Sequence, residues 1–183
     1  MNPSNSVLLI DGYNVISPIA PPGRGSDHRW LERERDLLLN RLFQHLPHLV
    51  RQRTCLVFDA VNPPADRDNC YLVSGITVRF ATDYPEADDL LEELIDGNAT
   101  PKRLTLVSSD HRLQAAARRR SATVYDSEDW LDRLLEGQIG LAPGVFERLS
   151  EAKREGQGSD SGDFAEPKLS QPEIDQWMKE FDL

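Results

Sequence analysis

Ser6-Val7-Leu8-Leu9-Ile10-Asp11-Gly12-Tyr13-Asn14 is the stretch on which the fold turns. Val7 to Ile10 is a continuous apolar run rich in branched side chains, the pattern of a strand buried on both faces. Asp11-Gly12 ends it and turns the chain. Open α/β sheets collect their ligands outside the carboxyl ends of the strands. One Asp-Gly pair is equally a plain turn, so the weight falls on recurrence.

Three further apolar runs end in the same way. Cys55 to Phe58 runs into Asp59, Leu104 to Val107 runs through Ser108-Ser109 into Asp110, and Ala122 to Tyr125 runs into Asp126. A fifth run, Ile76 to Phe80, is followed shortly by Asp83 and by Asp88-Asp89. If these runs are parallel strands of one sheet, their acids share one edge. Carboxylates crowded together repel one another unless a positive partner sits among them. A hard divalent cation is the simplest such partner, and Mg²⁺ characteristically uses one or two carboxylates together with substrate phosphates.

Helical patterns separate the strands. Leu31, Leu38, Leu42 and Leu46 repeat at helical spacing behind a cap at Ser26 or Asp27. Asp83-Tyr84-Pro85-Glu86 reads as a capping box opening a helix that runs to about Asp96 and places Asp88 and Glu92 on one face. Asp110 opens a helix that closes on Arg118-Arg119-Arg120, and Ser127 caps another through Leu135. Residues 60–69 read as a loop. The order implies a doubly wound, mostly parallel, five-stranded sheet between helical layers.

The chain has 183 residues and a net charge of −10. Residues 1–135 hold 16 basic and 20 acidic side chains, and residues 136–183 hold 5 and 11. The compact part is thus mildly acidic, without the overall basic balance of a tight nucleic-acid binder. A polyanionic substrate would have to be held by local arginines and by metal. Neither a membrane span nor a signal peptide is legible, and two cysteines without metal-ligand spacing fit a reduced, cytoplasmic setting. The boundaries read as a domain over 1–139, a flexible acidic linker over 140–169 and an amphipathic C-terminal helix over 170–183. Ile174, Trp177, Met178 and Phe181 form one stripe of that helix. So short a helix must dock, either back on the domain or in the groove of a partner protein.

Leu8 to Asn14, then Val57-Phe58-Asp59, Glu86-Ala87-Asp88 and Val107-Ser108-Ser109-Asp110, taken in that order, resemble the NYN domains of the PIN-like nuclease superfamily, closest to the YacP-like branch. The resemblance covers roughly residues 6–135. It implies an α/β/α PIN-like (Rossmann-like) fold with strand order 3-2-1-4-5, and an endoribonuclease dependent on Mg²⁺ or Mn²⁺. Carried over position by position, it implies metal-binding roles for Asp11, Asp88 and Asp110, with Asp59 matching a more variable acid and Glu92 a further acid of some relatives. Asn14 matches a polar residue that orients the first Asp or contacts substrate.

Ser108 and Ser109 are candidate donors to phosphate at a helix N-terminus. Arg24, Arg112 and the arginines near Arg119 are candidates for backbone contacts, against the plainer reading of solvated arginines. RNA, in single-stranded or loop regions, is the implied partner. A non-catalytic RNA-binding or scaffold protein on the same fold is the alternative. A receiver domain would need a second acid beside Asp11 and a lysine after the fifth strand, and neither is present.

Overall fold

The computed structural model describes residues 5–16, 29–60 and 68–156. The elements run β1 (Leu8–Asp11), α1 (Gly12–Val15), α2 (Arg29–His45), α3 (His48–Arg51), β2 (Thr54–Phe58), β3 (Cys70–Val73), β4 (Ile76–Phe80), α4 (Ala87–Asp96), β5 (Thr105–Val107), α5 (His111–Arg119), β6 (Thr123–Tyr125), α6 (Ser127–Leu135) and α7 (Val145–Gly156). They form a six-stranded sheet in the order β3-β4-β2-β1-β5-β6.

Every pairing is parallel except β3 with β4. β1 lies between β2 and β5, and its four residues are all buried, which is why they read as an unbroken apolar run. One helical layer packs Leu38, Leu42, Val50, Trp130 and Leu134 against Leu8, Ile10 and Phe58. The other packs Leu90, Leu91, Ile95, Leu113 and Ala117 against Leu9, Val57 and Leu106. Alternate residues of one strand thus enter opposite cores.

The sheet has one strand more than the sequence pattern implied. Cys70–Val73 lies within the link between β2 and β4 and forms an antiparallel hairpin with β4. Its four residues, Cys-Tyr-Leu-Val, are a short apolar run, but Cys70 and Leu72 lie in solvent at the sheet edge and a two-residue turn, not an acid, follows it. The turn is Ser74-Gly75, both at positive φ (49° and 89°), as a two-residue hairpin turn of this hand requires.

Other starts shift by a few residues. α4 begins at Ala87 with Glu86 as N-cap and no side-chain cap bond, rather than at Asp83. α6 is capped by Asp126, which accepts from the Glu128 amide, rather than by Ser127. α2 lies where its leucine repeat puts it, while Ser26 and Asp27 lie outside the described residues.

The region beyond residue 139 is not a linker from its start. Trp130 Nε1 donates to the Gly140 carbonyl at 3.0 Å, and the Ala142 amide donates to Thr105 Oγ1 at 2.7 Å. Ala142 and Val145 are buried, and α7 follows. Residues 157–183, including the helix expected over 170–183, lie outside the described residues. Both cysteines are free. Cys55 is buried with its thiol pushed up to about 12 by desolvation, whereas Cys70 is exposed.

Gly12 shows how tightly the end of β1 is built. A Cβ there would run into the Phe58 ring and stand 2.8 Å from the Val57 carbonyl oxygen. Gly12→Ala is expected to destabilise the fold by about 1–3 kcal/mol, the usual cost of overpacking. Urea unfolding checks this, and a loss below about 0.5 kcal/mol would show that the ring moves aside freely.

Candidate functional site

Asp11 sits at the carboxyl end of the central strand and is only 4% exposed. Three donors hold it. The Asn14 amide donates to Oδ1 at 3.3 Å, the Asn14 side-chain amide donates to Oδ2, and Ser108 Oγ donates to Oδ2 at 3.0 Å. The first is the N-cap bond of α1, so the turn that follows β1 is what aims the carboxylate. Ser108 stands at the end of the neighbouring strand β5 and is completely buried.

The same serine hydroxyl accepts from the Asp110 amide at 3.1 Å. Asp110 caps α5 through Oδ1, which accepts from the Leu113 amide at 3.0 Å. Asp88 enters from the first turn of α4, beside Asp89.

These three carboxylates act on one another. Burial is the main force raising Asp88, pushed up to about 6, and the charges of Asp110 and Asp11 add to it while Arg112 offsets them. Asp11 is also raised, first by desolvation and last by Asp110, against the lowering effect of its bonds to Ser108 and Asn14. Asp59, at the end of β2, accepts from the Ala60 amide at 2.7 Å, and its charge falls on Tyr13.

An oxygen-only set of three acids suits a hard cation such as Mg²⁺ or Mn²⁺ in chemistry. Among the described residues, however, no group of three or more His, Cys, Asp or Glu side chains is gathered closely enough to hold an ion as it stands.

Several expected substrate contacts have other partners. Ser108 is spent on Asp11 and Asp110. Ser109 Oγ accepts from the Ser127 amide at 3.2 Å, tying β5 to the start of α6. Arg112 reaches from α5 to α4, donating to Glu92 Oε1 and Oε2 at 3.0 and 2.9 Å and to Asp89 Oδ1 at 2.8 Å. Glu92 is therefore a partner of arginine. Together they brace α4 against α5, which keeps Asp88 opposite Asp110. Arg24 lies outside the described residues.

Arg35 belongs to none of the sequence motifs. This residue is 4% exposed, and its guanidinium lies over the Phe80 and Phe58 rings at 5.2 and 6.0 Å. Its charge acts on Tyr13, whose ring packs on Phe58 at 5.1 Å. A signal was available, because position 35 falls on the same helix stripe as Leu31, Leu38 and Leu42. A charge on an apolar stripe is a polar feature that the core must accommodate.

The Asp88 shift makes a prediction about stability. The folded state binds this proton more tightly than the unfolded chain, where an aspartate titrates near ~3.9. The corresponding stability is fully present below about pH 4 and is lost as pH rises through about 6. Asp88→Asn should therefore raise the melting temperature by a few degrees at pH 7.5 in EDTA and give no gain at pH 4. Equal gains at both pH values would show that charge repulsion is not the cause.

A family model described as the YacP-like NYN domain matches residues 8–179. No curated protein matches the chain significantly. Among solved structures, that of Rae1 (YacP) from Bacillus subtilis superposes with a TM-score of 0.57 at 19% identity, covering 96% of this chain and 91% of the other. A point mutant of the same Bacillus subtilis protein aligns with a TM-score of 0.49 at 20% identity, over 85% and 86% of the two chains. At that identity the superposition speaks for the fold, and the family rests on the model match over nearly the whole chain. The chain belongs to the YacP-like NYN domain family.

Proposed function

We propose that this protein is a divalent-metal-dependent endoribonuclease acting on single-stranded or loop regions of RNA. The observation that carries the reading is the trio Asp11, Asp88 and Asp110. Three elements bring these like charges to one sheet edge, and two of the carboxyls are raised above the ordinary range. Such a cluster costs stability that a cation would restore. The choice of RNA follows family membership.

Asp11, Asp88 and Asp110 would hold the Mg²⁺ or Mn²⁺. When bound, such an ion acidifies a coordinated water and offsets charge on the phosphate being cleaved. Asn14 and Ser108 fix the orientation of Asp11. Ser108 couples Asp11 to Asp110 through one hydroxyl. The amino end of α5 turns its dipole toward the same edge, which favours an anionic phosphate there. Asp88, raised to about 6, would have to be ionised to hold the cation.

One observation favours a second reading, a non-catalytic RNA-binding or scaffold protein: no three of the described side chains stand at ion-holding distance. One assay separates the two. End-labelled RNA with single-stranded loops is incubated with Mn²⁺, Mg²⁺ or EDTA, beside Asp11→Asn, Asp88→Asn and Asp110→Asn variants purified identically. Internal cuts that require metal and fall at least ~10²-fold in each variant are expected, on the order of what misplacing a catalytic group costs. RNA binding without cuts, and with no metal bound in calorimetry, would favour the second reading.

Arg112 supplies a finer test. Its charge lowers the pKa of Asp88. Arg112→Gln should therefore move the acid limb of the pH–rate profile to higher pH, because Asp88 must ionise to bind metal. An unchanged acid limb would remove Asp88 from the metal-binding set.

A further inference from the structure

The opposite edge of the sheet carries the opposite charge. Thr54, Leu8, Thr105 and Thr123 are register partners across β2, β1, β5 and β6, so these strands start in one row. Just before that row come Arg53, ahead of β2, and Lys102 and Arg103, ahead of β5. The last turn of α5, carrying Arg118 and Arg119, returns to the same edge, where the Ala122 amide donates to the Ala117 carbonyl at 3.0 Å. All five cations are exposed.

Among the described residues none of the five is in an ion pair, whereas Arg112 at the acidic edge is paired twice. Arg118 donates only to the neutral Gln114 side chain. Arg51 and Arg120, also near this edge, are packed into the structure. Arg51 lies 4.4 Å over the Phe43 ring, and Arg120 donates to the Asn98 carbonyl at 3.0 Å. The last turns of the other returning helices bring Glu93 and Asp96 from α4 and Asp132 and Arg133 from α6, with Glu136 just after it.

The separation of charge has a scale. The five residues of β2 span about 17 Å, whereas the screening length at physiological salt is about 8 Å. Each edge therefore presents its own sign to a partner, and the net charge of −10 does not describe either. Helix α5 joins them. It starts at Asp110 and ends at Arg119, and at about 1.5 Å per residue it spans roughly 13 Å. Its exposed residues are His111, Arg112, Ala115, Arg118 and Arg119, one stripe along the helix. Ala115 in the middle is small and lets a chain lie close. Beside Arg53 the edge also holds an open recess of about 660 Å³, lined by Gln52, Arg53, Leu72 and Thr77 among others.

We propose that the exposed stripe of α5 and the basic amino-terminal edge of the sheet form a track for the RNA backbone. The arginine end anchors the strand by its phosphates and the Asp110 end delivers it to the acids. The track rests on the proposed function only for its choice of RNA as the polyanion. It reconciles an acidic protein and an acidic site with a polyanionic substrate, because attraction acts at one end of the helix and chemistry at the other.

The test is binding of a labelled single-stranded RNA in EDTA, read by fluorescence anisotropy across 50–200 mM KCl, on order-of-magnitude grounds the range in which phosphate contacts declare themselves. Arg103→Ala/Arg118→Ala/Arg119→Ala should weaken binding about tenfold or more and reduce the log–log salt slope by roughly 2, at ~0.7 per lost contact. Ala115→Glu, which keeps every arginine and is a good helix former, should also weaken it. The control Arg33→Glu/Leu37→Glu, which shifts the charge by the same three units at exposed positions of α2 on the other face of the sheet from α5, should change it little. Melting curves confirm that all variants fold.

Equal losses in the patch and control variants would overturn the track in favour of net charge. Poly-glutamate bound as tightly as RNA, and lost in the same variants, would overturn it in favour of an acidic protein partner. Wild type that fails to bind RNA would overturn it outright. Because binding is read without metal, a failure to cut RNA in the separate assay with Mn²⁺ or Mg²⁺ overturns the nuclease reading without touching the track. Conversely, RNA cutting that persists with unaltered affinity in the patch variant overturns the track alone.

Discussion

The structure depends on holding a carboxylate at the end of its central strand, where little water reaches it. Asp11 is ionisable and almost fully buried, and desolvation is the first cause of its raised pKa. It is kept by three hydrogen bonds from two residues, Asn14 and Ser108. That arrangement explains the local sequence. The residue after it must be glycine because the Phe58 ring and the Val57 carbonyl leave no room for a Cβ. The chain must then turn into α1 at once, since the first helical bonds present the Asn14 amide to the carboxylate. Serine is the apt residue at position 108, because its hydroxyl donates to one aspartate and accepts from the amide of the next.

From that point outward the sheet edge is a compromise between packing and repulsion. Burying apolar faces on both sides of β1 is the strong driving force, and it brings β5 and α4 to the same place. The acids they carry come with them. Among the described residues the repulsion is eased by an exposed arginine, Arg112, shared between Asp89 and Glu92, rather than by a buried counter-ion among the three aspartates. An exposed pair of this kind adds little stability on its own. Its value lies in registering two helices so that Asp88 and Asp110 are not free to move apart.

The central strands were legible because burial on both faces leaves an unmistakable apolar signature, and the acids closing them were legible because each interrupts such a run. What the sequence hid follows the same logic. β3 is an apolar run of only four residues with one side in water, closed by the Ser74-Gly75 turn rather than by an acid, so it stands outside the pattern the other strands share. The start of α4 was placed early because Asp83 and Glu86 have the spacing of a capping box, while the helix begins after Glu86 with no side-chain cap. The segment after Gly140 looked like a linker because its anchors are two isolated bonds and two small buried residues rather than a periodic stripe. Within the site, residue types were readable and their partners were not. Ser108 has the residue type of a phosphate donor and Arg112 that of a solvated arginine or a backbone contact, and nothing in the sequence shows their bonds to Asp11 and to Glu92. Arg35 went unread because a lone arginine among leucines looks like helix surface until the stripe is drawn through it.

The bond between Ser108 and Asp11 joins residues 97 positions apart. Contacts of such sequence separation pay loop-closure entropy before they are rewarded, so they form late and together with the sheet they belong to. A chain still emerging from synthesis holds Asp11 long before it holds Ser108 or Asp110. It can complete α1 and the leucine stripe of α2, yet it has no means of gathering the acids. Whatever chemistry this edge performs is therefore absent from every nascent or partly unfolded form of the protein, and arises only with the finished sheet.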